Sequence, residues 1–143
     1  MNYILRIVIH QDVWQRQLAQ LLELCSHTPI TEVLLMEQSH QILTCPFPLE
    51  KHRQMAQIYR KIADALTDAG IAYSINLATV VGHNDCPAPD RLTMPFTRFV
   101  GSDLREADGV YCISDPQWVD YVIQVCRLYA HCLLYTSPSP RDR

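Results

Sequence analysis

Three short runs rich in branched apolar residues, at positions 3–10, 31–36 and 72–81, are separated by two longer stretches whose apolar residues recur every three or four positions. That alternation constrains the fold more than any other feature. Strands joined through a helix pair in parallel, because antiparallel neighbours need no more than a tight turn. The runs are almost continuously apolar, as expected of strands covered on both faces. The pattern therefore predicts an α/β fold that begins βαβαβ.

The boundaries follow from local chemistry. Asp12 can cap a first helix whose apolar stripe is Trp14, Leu18, Leu21, Leu22 and Cys25, with His27-Thr28-Pro29 as its stop. A loop containing Pro46 and Pro48 leads to a second helix at about 49–69, with its stripe at Met55, Ile58, Tyr59, Ile62, Leu66 and Ala69. Gly70 stands where a helix terminates on positive φ. After Asp85, about 25 residues with Pro87, Pro89 and Pro95 show little periodicity, too long for an ordinary connection. A strand-like piece at 110–113 follows. Ser114-Asp115-Pro116 then supplies a cap and a first-turn proline for a third helix with the stripe Trp118, Val119, Val122, Ile123, Cys126 and Tyr129.

From Cys132 the chain reads Cys-Leu-Leu-Tyr-Thr-Ser-Pro-Ser-Pro-Arg-Asp, which looks like one reading frame of a transposase adapter from a sequencing library. Residues 132–143 are therefore expected to be a non-native tail, with the third helix ending near His131 and a fourth strand due next. The chain carries 12 basic and 15 acidic residues, and leaving out Arg141, Asp142 and Arg143 takes the net charge from −3 to −4. Its Lys and Arg residues are scattered, without the basic stripe and interleaved aromatics of a nucleic-acid binder. The six cysteines include no Cys-x-x-Cys pair. Cys25 with His27, or Cys86 with His83, lacks partners at metal-ligand spacing, so free buried thiols are expected, with no metal and no cofactor. The apolar N-terminus reads as a strand, not a signal peptide, and no run reaches the roughly 18 apolar residues of a membrane span, so a cytoplasmic location is expected.

Alternation across the first strand puts Tyr3, Leu5, Ile7 and Ile9 on one face and Ile4, Arg6, Val8 and His10 on the other. The third strand repeats the division, with Tyr73, Ile75 and Leu77 opposed to Ser74, Asn76 and Ala78. An apolar face that meets helices and a second face that tolerates polar groups favour a barrel over an open sheet, and predict the first three βα units of an incomplete (β/α)8 TIM barrel. Arg6 could instead form a surface ion pair near a sheet edge. No glycine follows the first strand, where Gln11-Asp12-Val13-Trp14 stands, which disfavours a nucleotide-binding doubly wound fold.

In βα barrels chemistry sits at the C-terminal ends of strands. Here those ends carry His10-Gln11-Asp12, Glu37-Gln38-Ser39-His40 and Gly82-His83-Asn84-Asp85. Such groups suit a sugar, whose hydroxyls both donate and accept hydrogen bonds. His10, Asp12, Glu37, Asn76, His83 and Asp85 are the candidate substrate-binding residues. Trp14 could stack on a sugar ring, or take a place in the core. Glycosidic hydrolysis needs two carboxyl groups; Glu37 is the best placed and Asp85 second, and no catalytic pair is assigned.

The Ile-Val-Ile-His strand, Glu-Val-Leu-Leu-Met-Glu at the second strand, the helix ending Ala-Asp-Ala-Leu-Thr-Asp-Ala-Gly-Ile and Val-Val-Gly-His-Asn-Asp together resemble the opening of bacterial TIM-barrel glycoside hydrolases. Tyr111-Cys112-Ile113-Ser114-Asp115-Pro116-Gln117-Trp118 is similar to a Cys-Pro-Ser-Asp-Pro-type stretch in such enzymes, with Ile113 where proline often stands. The resemblance covers nearly all of residues 3–130. It implies a carbohydrate substrate bound by His83 and its neighbours and by Glu37. It also implies catalytic carboxylates at the end of the fourth strand and later, beyond residue 131, so that this chain alone is inactive. Two other readings stay open. In a sugar isomerase or epimerase barrel, His83, Glu37 and Asp85 would bind a divalent metal. A small non-catalytic α/β binding domain of flavodoxin-like order would need no further strands.

Overall fold

A computed structural model describes residues 3–36, 48–77 and 95–134. The elements are β1 (Tyr3–Val8), α1 (Trp14–His27), β2 (Ile30–Met36), α2 (Leu49–Asp68), β3 (Ala72–Asn76), β4 (Arg98–Val100), β5 (Glu106–Tyr111) and α3 (Pro116–Leu134). The opening βαβαβ order is as the periodicity predicts. Strands β1, β2 and β3 form a parallel sheet in that spatial order, with Val8 opposite Met36 and Met36 opposite Asn76. The protein is thus mixed α/β. The described strands do not close into a barrel; they form this three-stranded sheet and a separate two-stranded one, β4 with β5.

Successive right-handed crossovers that advance in one direction put every helix on the same side. Accordingly, Leu21 and Cys25 of α1 and Met55, Tyr59, Ile62 and Leu66 of α2 share one core with Leu5, Ile7, Ile9, Val33, Leu35, Tyr73 and Ile75. That is the apolar face expected from alternation, except that Tyr3, at its start, is half exposed. The opposite face holds Ile4, at 59 % exposure, with Arg6, Val8, Glu32, Leu34, Ser74 and Asn76. Polar groups there find one another: the Ser74 hydroxyl donates to Glu32 at 2.7 Å, and Arg6 Nε donates to the Met36 sulfur.

Helix termini follow their sequence signals unevenly. Gly70 has φ +73°, and the Gly70 and Ile71 N–H groups donate to Thr67 and Leu66 carbonyls, closing α2 with a Schellman motif. Asp12, in contrast, does not cap α1. Val13 holds that position with no side-chain cap, and Gln17 reaches back instead, accepting from the His10 N–H at 2.8 Å and donating to the Val8 carbonyl at 3.0 Å.

The third helix departs from its expected stripe. Trp118, Tyr121, Val125 and Tyr129 are buried, whereas Val119, Ile123 and Cys126 face outward. The stripe is turned because the tyrosines find a polar partner within α2: the imidazole of His52, fully buried, lies 2.9 Å from the Tyr121 hydroxyl through Nε2 and 3.3 Å from that of Tyr129 through Nδ1. Phe96, Tyr111, Trp118 and Tyr121 continue this cluster with centroid separations of 4.7–5.5 Å. The backbone of α3 runs to Leu134, three residues into the adapter-like segment.

Candidate functional site

Parallel pairing brings the C-terminal ends of β1, β2 and β3 to one edge. The carbonyl of Met36, the last residue of β2, accepts from the Ile9 N–H at 3.3 Å and from the Tyr59 hydroxyl at 2.8 Å, which locks β1, β2 and α2 together there. Tyr59 is ten residues into α2, so the first half of the helix rises about 15 Å above the strand ends. α3 packs against that half, with Tyr121 and Tyr129 on His52, and the β4–β5 hairpin packs in turn on α3, with Tyr111 on Trp118. Phe96, Tyr111 and α3 thus build an aromatic wall beside the first half of α2.

Of the candidate residues, His10 and Asp12 follow β1 and are exposed, and Asn76 ends β3 and is exposed. With strands about 4.8 Å apart, residues at the ends of β1 and β3 stand about 10 Å apart across β2. Gln17, which fixes the His10 backbone, was not legible beforehand, since a glutamine on a helix gives no sign that its partner is the preceding strand. Glu37, His83 and Asp85 lie outside the described residues. Trp14 is partly buried against the core, and Lys61 Nζ sits 5.6 Å from its ring centroid, so the ring packs between α1 and α2.

Asp115 links the hairpin to α3. Its carboxylate accepts from the Thr97 N–H at 2.5 Å and from the Gln117 N–H at 2.8 Å. The Thr97 bond first, with those from Gln117 and Trp118, holds the carboxyl below its ordinary value, against the opposing effect of burial. Burial alone pushes the Cys25 thiol up, which disfavours the reactive thiolate. Cys25, Cys112 and Cys126 are free thiols; Cys25 is buried as expected, but Cys126 is exposed. Among the described residues no cluster of three His, Cys, Asp or Glu side chains could hold a metal ion, and no helix is long and apolar enough to cross a membrane.

The described residues of this edge are suited to hydrogen bonding. An imidazole, a carboxylate and a carboxamide can exchange hydrogen bonds with a polyhydroxylated ligand, but they supply no paired carboxylates. No protein-family model, no curated protein and no solved structure matches the chain.

Proposed function

We propose that residues 1–131 are the opening βα units of a TIM barrel of the glycoside hydrolase type, and that they contribute sugar-binding groups at the strand ends without the catalytic carboxylate pair. The observation that carries this reading is the uninterrupted order β1-β2-β3 with α1 and α2 on one side. A flavodoxin-like domain reverses direction after its first crossover, and nothing of that kind occurs here. The first half of a dinucleotide-binding sheet advances in the same way, but its glycine-rich turn after β1 is lacking. The second face, with its Glu32–Ser74 pair among aliphatic side chains, suits a barrel interior, where packed layers admit a few mutually satisfied polar groups.

In this reading His10, Asp12 and Asn76, with Glu37, His83 and Asp85, orient the sugar, and the acid and nucleophile or base come from later strands, in a cytoplasmic enzyme. The test is to read the source DNA across codon 131. Continuation into an apolar strand ending in Glu or Asp, followed by further βα units, supports the barrel. A stop codon within a few residues overturns it and leaves a small α/β binding domain. In the completed protein, His10→Ala and Asn76→Ala should each weaken oligosaccharide binding roughly five-fold, the value of one ordinary hydrogen bond.

A further inference from the structure

At its C-terminal end β1 is bonded on both sides, but only one of the two partners is a strand. On the β2 side Val8 lies opposite Met36, and the Ile9 N–H donates to the Met36 carbonyl at 3.3 Å. Backbone groups of a strand point alternately to its two sides, so those of Ile7 and Ile9 serve β2 and those of Val8 and His10 point away from it. There the carboxamide of Gln17, half-buried on α1, donates from Nε2 to the Val8 carbonyl at 3.0 Å and accepts at Oε1 from the His10 N–H at 2.8 Å. One residue of a parallel neighbour would make the same two bonds, donating to residue 8 and accepting from residue 10.

The carboxamide therefore ends the outer ladder. A further strand on that side can use Arg6 and the Val8 N–H, but beyond them the bonding positions are taken, so it must part from β1 where the candidate site begins. The turn that follows is pinned at both backbone groups of His10, the N–H by Gln17 and the carbonyl by the Val13 N–H at 3.2 Å. The Gln17 N–H in turn donates to the Val13 carbonyl at 3.0 Å, which joins this turn to the start of α1 in one hydrogen-bonded unit. With its N–H and carbonyl both engaged, His10 offers a ligand its exposed imidazole, and the exposed Asp12 carboxylate stands on the same turn.

We propose that Gln17 is a positioning residue of the strand-end site: its carboxamide stands in for a neighbouring strand at the end of β1, parts that neighbour from β1, and holds the turn that carries His10 and Asp12. That His10 and Asp12 meet a sugar rests on the barrel reading above, whereas the bonds of Gln17 are measured without one. A stop codon just after codon 131 would overturn the barrel and leave Gln17 in its role. Failure at Gln17 would leave the barrel standing.

Amide hydrogen exchange of the full chain, followed residue by residue by NMR, separates hydrogen bonding from packing at Gln17. Gln17→Met keeps the length of the side chain and removes both bonds; Gln17→Glu keeps the acceptor for His10 and loses the donor for Val8. His10 exchange should quicken roughly five-fold in Gln17→Met, the worth of one ordinary hydrogen bond, and stay within about two-fold of the parent in Gln17→Glu. Exchange at Val33 and Leu35, on the central strand, should stay unchanged in both. Equal His10 exchange in the two variants, fast or slow, overturns the proposal, because packing does not distinguish an acceptor from a thioether. If Gln17→Met loosens the whole sheet, so that Val33 and Leu35 also exchange faster, Gln17→Glu decides alone. Parent-like protection at His10 then supports the positioning role, and its loss overturns it.

Discussion

The sheet layer and the aromatic wall above it are built on different chemistry. In the sheet layer, Ile9, Val33, Leu35, Ile62 and Leu66 pack with almost no polar contact, and register is set by strand pairing. In the wall, Tyr121 and Tyr129 flank His52, with Phe96, Tyr111 and Trp118 packed beyond Tyr121, so burial comes with hydrogen bonds that must be met. Aliphatic packing tolerates small adjustments, whereas a buried imidazole between two phenols fixes one orientation of α3 on α2. Tyr59 connects the two, with its ring beside Tyr129 and its hydroxyl on the Met36 carbonyl.

The comparison breaks if the two regions unfold independently. Trp118→Ala should destabilise by about 3–5 kcal/mol and Leu35→Ala by about 2–5 kcal/mol, as large-to-small changes at fully packed sites do. If Tyr59 couples the regions, both variants give one denaturant transition with an unchanged slope. If Trp118→Ala instead produces a second, earlier transition, the wall is a separate unit.

A sharper test lies at His52. His52→Leu leaves the Tyr121 and Tyr129 hydroxyls buried without the imidazole, for an expected loss of about 1–3 kcal/mol. Replacing both tyrosines by Phe in the His52→Leu background should recover part of that loss, because the hydroxyls that faced the imidazole go with them. Failure to recover any of it would make ring shape, not hydrogen bonding, the determinant of the wall.

Legibility in the sequence divides along the same line. The sheet layer could be read in outline: α1, β2 and α2 fall within a residue or so of the boundaries that periodicity assigns, and Gly70 marks its cap. Local period and local termination signals suffice there. The wall could not, because its determinants are distant in sequence. His52 breaks an apolar stripe, and what makes it a core residue stands 69 and 77 residues later. The same absent information misplaced the α3 stripe by favouring Val119 and Ile123 over Tyr121 and Val125. β4 escaped notice because it has three residues and because its turn ends on Leu104 where glycine would have signalled a hairpin. At the candidate site the end of β2 was foreseeable from its apolar run alone, whereas β3 stops at Asn76, short of the end expected from the 72–81 run, and Gln17 on His10 left no sign.

Two helix termini compare the regions at smaller effect. Asp115, at the start of α3, has its carboxyl lowered by the Thr97 and Gln117 N–H groups. A carboxyl lowered on folding stabilises the protein above its unfolded value, and that contribution is lost as pH falls from about 4 through the folded value. Asp115→Asn should therefore lower the melting temperature at pH 7, and the gap from the parent chain should close on titration toward pH 2. A gap independent of pH would mean that the carboxamide fails for geometric reasons and that charge is not what holds the hairpin to α3.

Gly70, at the end of α2, carries the smallest expected effect. A Cβ built there meets nothing within 4 Å, so Gly70→Ala introduces no clash, and its whole cost comes from φ +73°. That cost is about 1 kcal/mol, reduced slightly because alanine also restricts the unfolded chain. Gly70→Asn, which tolerates the left-handed region, should lose less than Gly70→Ala. The ranking Gly, Asn, Ala in chemical denaturation would assign the terminus to backbone conformation alone. Equal losses for Asn and Ala would mean that the chain reaches β3 through a different turn, and that the Schellman bonds to Leu66 and Thr67 are not what sets the start of the third strand.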